Sequence, residues 1–137
     1  MSSPQSSVWK DAPELAIPDV PALLCDSSDL WLAYRSHQGY AIVQFVGVID
    51  HRLSPINDEG LGKHPYASAG LRFYEFNEIT GSAETVRWSA FRARHWVVTF
   101  KDNTLDVIAE GAKVVARDLH ASSPTAALFE FLHHDAV

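Results

Sequence analysis

The alternation of apolar and polar positions is clearest in RHWVVTFKDNTLDVIAEG, residues 94–111, and it predicts a β-hairpin. Trp96, Val98, Phe100, Leu105, Val107 and Ala109 fall on one face, which is wholly apolar. The other face carries His95, Val97, Thr99, Asp106, Ile108 and Glu110. A two-residue turn at Asp102-Asn103 suits residues that tolerate positive φ. That turn pairs Phe100 with Leu105, Val98 with Val107 and Trp96 with Ala109. On the mixed face it pairs Thr99 with Asp106, Val97 with Ile108 and His95 with Glu110.

The same reading extends along the chain. Residues 30–35 begin the sheet, and YAIVQFVGVID at 40–50 is apolar on both faces, as a strand in the middle of a covered sheet should be. Gly47 marks a bulge or a close approach within it. Residues 71–78 alternate as a strand, and 112–116 form a last strand after a break at Gly111. Ser82 is placed to cap a helix reaching residue 92, with Val86, Ala90 and Phe91 at helical spacing. Ser123 caps a C-terminal helix that opens on Pro124 and carries Ala127, Leu128, Phe131 and Leu132 as one apolar stripe. His133 and His134 close it, where a protonated ring suits the helix dipole. Serines and prolines make residues 1–20 a flexible leader, with Trp9 and Ile17 docking on the body, and residues 20–25 a short helical turn beginning at Pro21. Residues 21–137 are then one α+β domain, with a curved, mostly antiparallel sheet and two or three helices including the C-terminal one.

Charge and cysteine usage narrow the function classes. A net charge of −6 with no basic run argues against nucleic acid, and Arg87, Arg92 and Arg94 read as a solvated helix face. The single cysteine, Cys25, excludes an intrachain disulfide and a cysteine-based zinc site, and reads as packing beside Leu23 and Leu24. The apolar runs are too short for a bilayer, and the first residues lack the charged and apolar regions of a secretory signal, so a cytoplasmic setting is expected.

Residues 51–69, HRLSPINDEGLGKHPYASA, follow neither period and are long for a loop in a compact domain, which points to function. Leu53, Ile56, Leu61 and Tyr66 give it apolar anchors, so it is expected to be ordered and to fold back over the hairpin, with His64 near His95. The candidate polar site is Asn57, Asp58, Glu59, His64 and Tyr66 from the loop with His95 and Glu110 from the hairpin. Two carboxylates and a histidine within a few residues could serve as an acid/base pair or as half a metal site. The plainer reading is a set of turn caps and a surface His95–Glu110 ion pair worth under about 1 kcal/mol. No phosphate-binding glycine loop, nucleophile elbow or zinc-protease signature occurs, and no cofactor or closed metal-ligand set is expected. A histidine site assembled from separate strands, as in cupin-like barrels, stays open.

Residues 40–110 resemble a family of small uncharacterised bacterial proteins. The shared pattern is a strand, an NDE…GHP…GL…Y segment and a RHF…FHDSTFE-like hairpin. It is carried here by Asn57, Asp58, Glu59, His64, Pro65, Gly70, Leu71 and Tyr74, then Arg94, His95, Trp96, Phe100, Asp102, Thr104 and Leu105. Lys63 and Lys101 stand where glycine and histidine would be expected, and Asp106 stands for glutamate. The resemblance implies the place of a site and no activity. The leading functional reading is a non-catalytic binding or interaction module for a basic protein partner, an immunity-type inhibitor being one form, with dimerisation left open. The alternative is a metal-dependent or acid/base enzyme using Glu59, His64 and His95. A deep pocket where these side chains converge would favour the enzyme, and a flat patch the binder.

Overall fold

A computed structural model describes residues 3–16 and 20–135, the side chains of His134 and Asp135 excepted. The strands are β1 (Gln5–Val8), β2 (Ala22–Asp26), β3 (Asp29–Ser36), β4 (Gly39–Ser54), β5 (Phe76–Thr80), β6 (Arg94–Thr99) and β7 (Thr104–Leu119). They form one antiparallel sheet in the order β1-β5-β6-β7-β4-β3-β2. The helices are α1 (Ala83–Arg87) and α2 (Pro124–Asp135), and the fold is a single α+β domain. Among the described residues no helix is long and apolar enough to cross a membrane.

The sheet curls around its own core. β3 and β5 are separated by three strands in the sheet, yet the rings of Tyr34 and Phe76 stand 5.3 Å apart, and Phe45 meets Trp96 at 5.4 Å. The buried cluster takes alternate residues from each strand: Leu30, Leu32 and Tyr34, then Ala41, Val43 and Phe45, then Leu105, Val107 and Ala109, then Trp96 and Val98. β4 lies between β3 and β7, and its apolar outer face is covered in part by α2, which packs Leu128 against Ala33 and Ile42. Ser123 caps α2, its Oγ accepting the Ala126 N–H at 3.0 Å.

Within the 1–20 segment expected to be a flexible leader, residues 5–16 pack on the sheet. Gln5–Val8 pairs with β5 as an edge strand. The chain then crosses the mouth of the curled sheet from β5 to β3. Trp9 N–H donates to the Phe76 carbonyl at 2.7 Å, Tyr34 Oη donates to the Pro13 carbonyl at 2.6 Å, and Ala16 N–H donates to the Arg35 carbonyl at 2.8 Å. Trp9 docks on Phe76 and Trp96 and Leu15 is buried, whereas Ile17 lies outside the described residues. Serine and proline content hid this because the strand borrows its partners from a distant segment.

Other expectations are also corrected. Residues 22–26 are an edge strand rather than a helical turn, and Cys25 on it is exposed. β4 runs on to Ser54, so the irregular loop covers 55–75 and holds two 3₁₀ turns, Leu61–Lys63 and Ala67–Ala69. Leu61 is buried as an anchor, but Leu53 is 45 % exposed at the end of β4. The strand expected over 71–78 begins only at Phe76, because Tyr74 adopts positive φ (56°) and turns the chain. The long helix expected after Ser82 is the five-residue α1 followed by a 3₁₀ turn, Ser89–Phe91, with Val86 and Phe91 on the surface. β7 passes through Gly111 without a break.

The hairpin keeps its faces and loses its register. Its loop covers 100–103, closed by the Phe100 N–H donating to the Asn103 carbonyl at 2.9 Å, so Val98 pairs with Leu105, Trp96 with Val107 and His95 with Ile108. The slip is two residues, which leaves every side chain on its expected face because the strand period is two. Glu110 is thereby removed from His95, and Asp106, opposite Val97, becomes the diagonal neighbour of that ring.

Candidate functional site

The loop 55–75 folds over the outer face of β6, β7 and the end of β4, and the sheet and loop hold each other through buried polar side chains. Thr104 Oγ1 donates to the Ile56 carbonyl at 2.8 Å and the Asp58 N–H donates to the Lys101 carbonyl at 2.9 Å. Asn77, fully buried, accepts the Arg72 N–H and donates to the carbonyls of Arg72 and Val97. Thr99 Oγ1 donates to the Arg72 carbonyl at 2.7 Å. These bonds satisfy backbone groups that an irregular buried segment would otherwise leave unpaired.

At the centre stands Asp106. His64 Nε2 lies 2.8 Å from its Oδ1 and 3.1 Å from its Oδ2, and His95 Nε2 lies 2.9 Å from Oδ2. The histidine side chains are 2 % and 1 % exposed and that of Asp106 is 23 % exposed, so the carboxylate is the member of the trio that meets solvent. Burial pushes the Asp106 carboxyl up, but the hydrogen bonds from His64 and His95 outweigh it and hold the group below the usual aspartate value.

The hydrogen bonds settle which nitrogens carry protons. Tyr66 N–H donates to His64 Nδ1 at 3.0 Å, so that nitrogen is an acceptor and the ring proton sits on Nε2, facing Asp106. The short 3₁₀ turn ending at Lys63 and the Pro65 that follows His64 present the ring and this N–H to each other. His95 Nδ1 lies 3.0 Å from Ser82 Oγ. Ser82 is also the cap of α1, its Oγ accepting the Thr85 N–H at 3.2 Å. Tyr66 packs its ring edge-on against His95 at 5.4 Å, donates its hydroxyl to Glu84 Oε1 and accepts the Ala83 N–H at 3.0 Å.

Ser82, His95 and Asp106 form a chain that superficially matches a serine-hydrolase triad. The serine is wholly buried and spent as a helix cap, so no substrate carbonyl can reach it. His64 is no ready metal ligand either, since one nitrogen accepts a backbone hydrogen bond and the other donates its proton to Asp106. Among the described residues no group of three or more His, Cys, Asp and Glu side chains is arranged to hold a metal ion.

A cleft of about 370 Å³ opens above Asp106. Its floor and walls include His64, Tyr66, Glu84, His95, Ile108 and Ser54, while His51, Arg52 and Lys63 stand exposed at its rim. Of the candidate residues, His64, Tyr66 and His95 converge here. Asn57, Asp58, Glu59 and Glu110 do not line the cleft. Asn57 and Asp58 close a local turn through the N–H groups of Gly60 and Glu59, and Asp58 Oδ2 accepts the Tyr74 hydroxyl at 2.6 Å, which lowers its pKa. Glu110 lies across Gly47, where an added Cβ would come within 2.9 Å of the Glu110 Cβ, and it lines a separate surface groove. Asp106, Glu84 and Ser82 were the residues missed. A four-residue hairpin turn, as compatible with Asp102-Asn103 as the two-residue one, would have put Asp106 beside His95.

No known family model matches the chain, and neither a curated protein nor a solved structure is significantly similar to it. Of the residues that carry the resemblance noted above, His64, Pro65 and His95 meet at this cleft.

Proposed function

We propose that the protein is a non-catalytic binding module and that the cleft over Asp106 is its recognition site. The observation that carries this reading is the commitment of the imidazole nitrogens. Both Nε2 atoms face Asp106, His64 Nδ1 accepts a backbone N–H, and His95 Nδ1 is engaged by a buried serine. A histidine acting as general acid or base needs a nitrogen aimed at substrate, and neither ring offers one. Asp106, the most exposed of the three, is held as a carboxylate with lowered proton affinity, which makes it a weak base and a good hydrogen-bond acceptor. A mostly preformed cleft of this size, with polar groups converging on an apolar wall, has the character of a binding site.

The net charge of −6 suits a basic partner or ligand, and a single cysteine fits a reducing compartment such as the cytoplasm. The test is native mass spectrometry after incubation with a mixed small-molecule library, with product analysis of the same mixture. The wild type should retain a compound unaltered, and Asp106→Asn should not. Time-dependent conversion of a library member, lost in Asp106→Asn, would make the protein an enzyme and overturn the reading.

A further inference from the structure

We infer that the cleft takes an organic cation, an alkylammonium or alkylguanidinium group, with its N–H donors directed at Asp106 and Glu84. The inference rests on the binding reading above and adds the chemical class of the guest.

Every side-chain donor in the inner part of the cleft is already used. The proton of His64 goes to Asp106, and His95 is held between Asp106 and Ser82. The Tyr66 hydroxyl donates to Glu84, and Ser54 Oγ donates to the Thr104 carbonyl at 3.3 Å. Pro65 has no N–H, and the Tyr66 N–H is taken by His64. Acceptors remain. A carboxylate has about four lone-pair positions. Asp106 Oδ2 receives both histidines and Oδ1 receives His64 alone, so Oδ1 keeps accepting capacity. Glu84 receives Tyr66 on Oε1, which leaves Oε2. Deep in the cleft the open positions are acceptors, which favours a guest that donates.

Charge selects among donors. Asp106 is ionised under ordinary conditions, since its proton affinity is lowered. A cationic N–H group makes a stronger bond to it than a neutral amide or hydroxyl would. Arg52 is the direct cross-strand neighbour of Asp106, yet among the described residues no ion pair joins them, so this neighbouring cation leaves the acceptor open. Arg52, His51 and Lys63 stand in solvent at the rim, where water and salt screen them. Ile56, Ile108 and Pro65 supply an apolar wall for an alkyl stem. The cation could be a free small molecule or an arginine or lysine side chain of a protein partner.

The experiment is an NMR titration of the full chain, following the ring protons of His64 and His95 and the amide of Tyr66. The probes are ethylguanidinium, ethylammonium, acetate and inorganic phosphate, followed by free arginine and an end-blocked Gly-Arg-Gly peptide. The expected result is a saturable shift with an organic cation and none with the anions. Affinity should fall by about tenfold or more in Asp106→Asn and in Glu84→Gln, which keeps an acceptor for Tyr66. Tighter binding of free arginine than of the peptide assigns a small-molecule source, and the reverse a partner side chain. Saturable shifts with acetate or phosphate and not with cations would overturn the inference while leaving the binding reading intact. So would a cation affinity unchanged in a folded Asp106→Asn. No saturable shift with any probe, beside a neutral compound retained in the library experiment, would likewise overturn the cation and spare the binding reading.

Discussion

Replacing Asp106 by alanine and by asparagine should give two separate stabilities, because the carboxylate serves two buried donors. In Asp106→Ala the Nε2–H groups of His64 and His95, whose side chains are 2 % and 1 % exposed in the intact protein, lose their acceptor. An orphaned buried donor costs about 1–3 kcal/mol, so two cost about 2–6. Removing the partly buried charge itself relieves some desolvation, which brings the expectation to about 2–5 kcal/mol. Asparagine can keep both contacts. Its Oδ1 accepts from His64, whose tautomer is fixed by the Tyr66 N–H. Its Nδ2 donates to His95 Nε2, provided the His95 proton moves to Nδ1 and is given to Ser82 Oγ, which lies 3.0 Å away. Only the charge assistance is lost, about 1–2 kcal/mol. Urea unfolding at neutral pH, with equal slopes, reads both values. An alanine variant within about 0.5 kcal/mol of wild type, or an asparagine variant less stable than alanine, would refute the reasoning.

Further outcomes follow from the same contacts. The folded-state pKa of Asp106 is lowered, so its contribution is fully present above the unfolded aspartate value of about 3.9 and is lost as pH falls through the lower folded value. The stability gap between wild type and Asp106→Ala should therefore be constant at higher pH and shrink below about pH 4, as read by urea unfolding across pH. Ser82→Ala removes the α1 cap and the partner of His95 Nδ1, and should cost about 1–3 kcal/mol in thermal or chemical unfolding. Trp96 is fully buried and its Nε1–H has no partner among the described residues, so Trp96→Phe removes an orphan donor along with volume and should stay within about 1 kcal/mol of wild type, against about 3–5 for Trp96→Ala.

The fold class was legible because alternation survives ignorance of the turns. Trp96, Val98, Phe100, Leu105, Val107 and Ala109 all face the core even though the hairpin slipped by two residues. The same slip hid the site's central residue, since cross-strand partners depend on register and faces do not. The ordering of the loop was legible in Leu61 and Tyr66, and His64 and His95 do meet, but on Asp106 and not on Glu59 or Glu110. The roles of Gln5–Val8 and Ala22–Asp26 were out of reach locally. Both are edge strands whose pairing is decided by distant segments, and polar or proline-flanked sequence carries little sign of that.

The most direct measurement of the central claim is the tautomer of His64. A long-range proton–nitrogen correlation spectrum at neutral pH distinguishes a protonated ring nitrogen from one that only accepts. His64 should carry its proton on Nε2 with Nδ1 as acceptor, because the Tyr66 N–H occupies Nδ1 and Asp106 accepts from Nε2. A ring protonated on Nδ1, or both nitrogens sharing the proton as in a solvent-exposed histidine, would contradict the arrangement on which the site rests.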